Sequence, residues 1–319
     1  MLTRLAWIAA LAFAAAMPAA GQERIALGAT NAQSSHYAYF AALAGLLNEQ
    51  TDLQASVVET GATVDNLRRM ERGQLDAGLV TTNTLYQANG GLGEFEGAPI
   101  ESRLLWAYSL APQLVIVRGD AGIDAIADLD GARFGPGQRG SSTEATSEQV
   151  MNLFGIAPEW VRGSNAELAN EIKDDRLSGF IKSAVGTKFD PLTTDIATLT
   201  PLKVLPISEE QADMIREALP ELSIVEQPAD AQQAADAPYL AWGFMIGVGA
   251  RPDLPDDVAY AMTKAAIEDT SVQQAAFADL QGNSIPELTL EYATSPLHPG
   301  AIRAYEEAGY EVPDRLRGE

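Results

Sequence analysis

Residues 24–47 read RIALGATNAQSSHYAYFAALAGLL, and the two ends of this stretch follow different periodicities. Residues 24–30 are a short apolar run with Ile25 and Leu27 on one side, as in a strand. After the polar residues 31–35, Phe40, Leu43, Ala44 and Leu47 recur at i, i+3, i+4 and i+7, which places them on one face of a helix. The same unit then returns. Residues 54–60 form a Val-rich strand, Gly61-Ala62-Thr63 opens a helix with Val64, Leu67 and Met70 inward, and Gly73 ends it. Residues 75–81 are a third strand, followed by the polar Thr82-Asn83-Thr84. Three strand-to-helix units within about sixty residues require a largely parallel sheet with helices on its faces.

Further along, residues 114–117 read as a strand, Asp128-Leu129-Asp130-Gly131 as a turn and residues 132–134 as a short strand. Strands are also expected at 177–184, 202–207 and 222–225, and a long one at 240–250 containing Gly243, Gly247 and Gly249. Helices over 257–269 and 298–309 close the chain. This is more sheet than one lobe of usual size holds. The expected fold is α/β with two lobes, each a mixed sheet flanked by helices. Residues 22–117 and 238–319 make the first lobe and 118–237 the second, with the chain leaving near Val117 and returning near Tyr239. Two crossings leave a cleft lined by loops at strand ends, where open α/β sheets bind ligands.

Residues 1–21 read as an export leader. Arg4 supplies the positive start, residues 5–17 are apolar, and Ala19-Ala20-Gly21 offers small residues for cleavage. A periplasmic location is therefore expected. With no cysteine in the chain there is no disulfide framework and no site for a lipid on a cysteine after the leader. Lys and Arg total 21 against 44 Asp and Glu, a formal net charge of −23, which argues against nucleic acid and against an anionic lipid surface. An anionic ligand would need a local cationic pocket, which draws attention to Arg139 and Lys182.

Gly135-Pro136-Gly137-Gln138-Arg139-Gly140-Ser141-Ser142-Thr143-Glu144 is a glycine-rich turn running into a helix. Ser141 and Glu144 have capping-box spacing, and Val150, Leu153 and Phe154 give an apolar face closed by Gly155. Helix N-termini present unpaired N–H groups at the positive end of the dipole and suit a carboxylate. Ser141, Ser142 and Thr143 supply three hydroxyls there, more than a cap needs. Facing them from the first lobe stand Ser35, His36 and Tyr37, then Thr60, then Thr82 and Asn83, while Lys182 lies on a strand of the second lobe. Each has a plainer role open to it: helix surface for His36 and Tyr37, caps for Thr82 and Asn83, solvent for Arg139, an outward strand face for Lys182. Together they suit a small carboxylate ligand. Catalysis finds little support: His36 and His298 are far apart, no G-x-S-x-G elbow occurs, Gly91-Leu92-Gly93 lacks the third glycine of a dinucleotide loop, and metal-ligand clusters are missing. No cofactor, no metal and no enzymatic activity are expected.

Several segments in order resemble the TAXI class of substrate-binding proteins, which serve TRAP-type secondary transporters. They are the Tyr37 helix, Thr60-Gly61 with Asn66-Leu67, Arg72-Gly73-Gln74-Leu75-Asp76, Asp128-Leu129-Asp130-Gly131 and the Gly140-Ser141-Ser142-Thr143-Glu144 loop. The most specific is the run from Pro296-Leu297-His298-Pro299-Gly300 to Glu306-Glu307-Ala308-Gly309. The resemblance covers nearly the whole chain after the leader. It implies a type II-like periplasmic binding protein that captures an organic acid such as glutamate or 2-oxoglutarate and delivers it to an integral-membrane TRAP permease. Ser34-Ser35-His36-Tyr37, Arg139 and Gln113 depart from that class's usual residues, so the ligand stays open. A sensory subunit feeding a membrane kinase and a periplasmic enzyme on the same frame are the alternative roles.

Overall fold

The computed structural model describes residues 23–30, 32, 34–139, 141–184, 189–230, 233–277 and 280–318. The expected leader lies outside the described residues, as does Gly140 of the glycine turn. The chain opens with β1 (Glu23–Gly28), α1 (Ser35–Gln50), β2 (Leu53–Val58), α2 (Thr63–Glu71), β3 (Ala77–Thr81) and α3 (Thr82–Gly90). The strands pair in parallel in the order β2-β1-β3, as the repeated strand-to-helix units require. Phe40, Leu43, Ala44 and Leu47 of α1 and Leu67 and Met70 of α2 are all buried against them.

β4 (Arg103–Arg118) is far longer than the strand expected at 114–117. It continues into the second lobe, made by β5 (Arg133–Gly135), α4 (Ser142–Leu153), β6 (Glu159–Trp160), α5 (Asn165–Lys173), β7 (Gly179–Ser183), α6 (Pro191–Ala197), β8 (Leu202–Leu205), α7 (Glu209–Ala218) and β9 (Ser223–Gln227). β10 (Tyr239–Ala250) returns to the first lobe, completed by α8 (Asp256–Glu268), α9 (Val272–Ala276), α10 (Ile285–Tyr292) and α11 (Pro299–Glu307).

The strands join one sheet of mixed direction, in which β4 and β10 are common to both lobes. From Arg103 to Ala111, β4 lies antiparallel to β10; from Gln113 onward its neighbours are β7 and β8. Pro112, with no N–H to give a ladder, stands at the exchange. β10 changes in step, pairing with β9 up to Gly243 and with β4 from Phe244. A Cβ on Gly243 would lie 3.0 Å from the Ala111 carbonyl oxygen and 3.2 Å from Pro112 Cα, so a larger residue there would have to push the β4 backbone away by a few tenths of an ångström. The expected crossings near Val117 and Tyr239 are strand ends, whereas the change of partner falls inside both strands.

Each lobe has its own core. Around β1–β3 and the first half of β4 sits one large cluster that includes Trp106 and Tyr108. In the second lobe, Val150 and Met151 of α4 and Ile215 of α7 cover one sheet face with Ile181, and Leu168, Ile172 and Ile196 of α5 and α6 cover the other with Phe180. The lobes also touch beside the crossing strands: Ser223 Oγ donates to the Tyr292 carbonyl at 3.0 Å, and Thr294 Oγ1 to that of Glu221 at 3.2 Å.

Candidate functional site

α4 begins where the sequence predicts. Ser141 is its N-cap, with Oγ accepting from the Glu144 N–H at 3.2 Å. The expected capping box is only half made, because the Glu144 carboxylate turns to Arg162, 3.1 Å from its Nε. A charged partner offers that carboxylate more than the Ser141 N–H would. The Ser141 N–H instead donates to the Gln138 carbonyl at 3.0 Å. Gly137 has φ +118°, and a Cβ there would sit 2.7 Å from Thr143 Cγ2, so the turn closes tightly on the helix start.

The first turn of α4 faces the other lobe. Ser142 Oγ lies 3.3 Å from Thr81 Oγ1 and 3.3 Å from Thr84 Oγ1, and those two hydroxyls are 3.0 Å apart. Three hydroxyls from β3, α3 and α4 thus bridge the lobes. Behind them Thr143 Oγ1 lies 3.1 Å from Ser183 Oγ at the end of β7, and Ser183 is bonded to the buried side chain of Gln113. Beside the hydroxyls opens a cleft of about 560 Å³. Asn83 and Thr84 line it from one lobe, and Arg139, Ser141, Ser142 and Arg162 from the other. Asn83 is buried, and its Oδ1 has no partner among the described residues. Another hollow, of about 400 Å³, lies away from the lobe boundary between α1 and α8, with Asp52 and Lys264 in its wall.

The cleft's charges are largely paired. Arg162 is held by Glu144 and Glu148, and Glu94 by Arg68 at 3.2 Å. Arg139 is exposed on the rim and donates from its guanidinium to the Arg162 carbonyl at 2.9 Å. Among the described residues Arg139 has no ion-pair partner within 4.0 Å.

The structure therefore gathers Asn83, Arg139, Ser141, Ser142 and Thr143 of the sequence-predicted residues. Thr82 is next to them but fully buried, its Oγ1 accepting from the Met245 N–H at 3.1 Å, so it braces β10 rather than facing the cleft. Thr60 donates to the Ala29 carbonyl at 2.9 Å and tightens the loop after β2. Ser35 is exposed on the first turn of α1 and Tyr37 packs on the first lobe's core. His36 Nδ1 is 3.0 Å from Tyr108 Oη, its ring tilted on Phe277 with centroids 5.0 Å apart, and burial depresses its pKa to about 4.

Lys182 alternates with Ser183 on β7 and shares the Phe180 face, away from α4. Its ammonium lies 2.9 Å from the carboxylate of Asp190, the N-cap of α6. Burial works to raise the Asp190 pKa, but the Lys182 charge and bonds from Thr193 outweigh it and hold it below the ordinary carboxylate value. Sequence reasoning marked Gln113 only as a departure from the resembled class, not as a site residue, and did not place Ser183 or Arg162 at the site. The signal for the first was a polar residue alone within the apolar run 110–117.

A two-lobed α/β chain with its open cleft at the strand crossing has the fold of solute-binding proteins. In shape it is similar to a TctC solute binding protein from Polaromonas, at 15% identity and TM-score 0.51, covering 82% of this chain and 88% of that one. It is also similar to a Xanthomonas citri protein bound to chloride ion, at 13% identity and TM-score 0.52, covering 89% and 95%. The periplasmic binding protein BugD matches at 13% identity and TM-score 0.50, covering 90% and 94%. Residues 27–309 match the model of the NMT1-like family, and the chain belongs to that family.

Proposed function

We propose that this chain is an exported solute-binding protein that closes its two lobes on a small organic acid and passes it to a membrane transporter. The observation that carries this reading is Ser142, first residue of α4, reaching Thr81 and Thr84 of the opposite lobe. The start of a twelve-residue helix thereby forms one jaw of the cleft, and its first N–H groups have no acceptor within the helix. Hydroxyls and N–H groups at such a place favour an oxyanion, and Arg139 on the rim adds a positive charge. Glutamate, 2-oxoglutarate and related carboxylates are the proposed ligands, and a TAXI-type TRAP permease is the proposed partner, on the strength of the sequence resemblance. Residues 1–21 would direct export to the periplasm. The role is capture rather than turnover.

Calorimetric titration of the chain with glutamate, 2-oxoglutarate and dicarboxylates tests this. At least one should bind, and Arg139→Ala combined with Ser142→Ala should weaken it about tenfold or more, since two polar contacts worth roughly 1 kcal/mol each are lost. Circular dichroism should stay unchanged. Undiminished affinity in the double variant would remove the site from this cleft, and failure of every acid to bind would remove the ligand class.

A further inference from the structure

Enclosed polar groups nearly always find partners, so one on a cleft wall without a partner points to the ligand. Asn83, the second residue of α3, is such a group: it lines the cleft and is only 2% exposed. Its Oδ1 has no hydrogen-bond partner among the described residues. The hydroxyls around it are occupied. Thr82 Oγ1 accepts from the Met245 N–H, and Thr81 and Thr84 bond to each other and reach Ser142. The start of α3 itself offers N–H groups, which are donors. On the first lobe's wall the Asn83 oxygen is therefore an acceptor that a ligand donor can satisfy.

The charges of the cleft favour the same kind of ligand. Glu94, Glu144 and Glu148 line it together with Arg139 and Arg162. Glu144 and Glu148 share Arg162, and Glu94 is answered by Arg68. With Arg139 included, these carboxylates and guanidiniums balance, so the walls hold no surplus positive charge for a dianion. An acid that carries an ammonium offsets one of its own carboxylates. A doubly charged acid without one does not.

Resting on the reading of the cleft as an acid site, we propose that its ligand is an amino acid rather than an oxo acid, and that Asn83 is the specificity-determining residue, its Oδ1 accepting from the amine. The carboxylate meets the α4 wall, where Ser142 and Arg139 stand, and the amine meets the α3 wall opposite. A keto oxygen in place of the amine can only accept, and would set lone pairs against those of Asn83 Oδ1.

Calorimetric titration at pH 7.5 with glutamate, 2-oxoglutarate and glutarate tests this, because the three share a five-carbon frame and differ only at one carbon. Wild type should bind glutamate about tenfold or more tightly than either of the others, the effect of one hydrogen bond to a charged donor. Asn83→Leu, which keeps the shape and removes the acceptor, should weaken glutamate about tenfold more than it weakens 2-oxoglutarate. Asn83→Asp, with oxygen at both ends of the group, should widen the preference for glutamate. Equal or tighter binding of 2-oxoglutarate by wild type overturns the proposal and needs no variant to fold. So does a loss of the same factor for all three acids in Asn83→Leu. A wild-type chain that binds none of the three overturns the cleft reading itself, and this proposal with it.

Discussion

Replacing Asn66 by leucine is expected to lower the stability of the fold by about 3 kcal/mol or more, because it strips donors from buried carbonyls just past the end of β1 and in the middle of β3. Asn66 sits on the inward face of α2 and is fully buried. Its Nδ2 donates to the carbonyls of Ala29 at 3.0 Å and Leu79 at 2.9 Å, with Gly28 O at 3.4 Å. The approach is possible because Gly28 and Gly78 are register partners without side chains: a Cβ on Gly28 would lie 2.4 Å from Asn66 Oδ1, and one on Gly78 2.7 Å from Gly28 O. Leucine has nearly the same shape, so the loss reports polar satisfaction rather than a cavity. Asn66→Asp should be worse, since it sets a carboxylate against carbonyl oxygens. Both variants should also weaken ligand binding, as Leu79 lies in the strand that leads to Asn83 and Thr84 on the first lobe's side of the cleft. Thermal unfolding by circular dichroism checks this: for a chain of this size the leucine variant should melt lower by on the order of 6 °C or more. A melting point within a degree of wild type would show that water or a neighbour replaces the amide.

Legibility in the sequence followed the physics of each element. α1 was readable because one face meets the sheet and the other meets solvent, so a 3.6-residue period survives in its sequence. The first half of β4 left no such trace: Leu104, Leu105, Trp106, Ala107 and Tyr108 are buried on both faces, and Pro112 interrupts the run. The expected strand therefore began only after the proline, and the chain's exchange of neighbours within β4 stayed hidden. At the cleft, the helix start with its hydroxyls was legible because caps and glycine turns are local chemistry. What those hydroxyls touch was not. Lys182 drew attention by its charge, yet a strand alternates faces, and the neighbouring Ser183 is the one that meets Thr143. Glu144 and Glu148 are one helical turn apart and visibly share a face, but their common partner Arg162 arrives from beyond β6 and no spacing announces it.

Acid should destabilise this fold well before its carboxylates are protonated, and His36 should be the main cause. Its ring is enclosed by Tyr108 and Phe277 at the first turn of α1, and burial depresses its pKa from the ordinary imidazole value near 6.5 to about 4. The positive end of the helix dipole opposes protonation as well. In the unfolded chain the imidazole takes up its proton near pH 6.5, so between about pH 6.5 and 4 the unfolded state binds more protons than the folded one. Stability is then full above pH 6.5 and falls as the pH drops through this window. The size is about 2–3 kcal/mol, somewhat under the full linkage value because the ring keeps some contact with solvent. His298 acts with the same sign, since burial lowers its pKa against the opposing pull of Asp256. It also caps α11, accepting the Gly300 N–H at 3.2 Å, so its replacement should be asparagine, which can cap in turn. Urea unfolding from pH 7.5 to 4.5 should give a falling stability for wild type, a much flatter profile for His36→Phe, and a nearly level one for His36→Phe with His298→Asn. An unchanged slope in the phenylalanine variant would place the acid sensitivity elsewhere. Because His36 lies in the first turn of α1, its protonation should loosen the start of that helix before the rest of the chain unfolds.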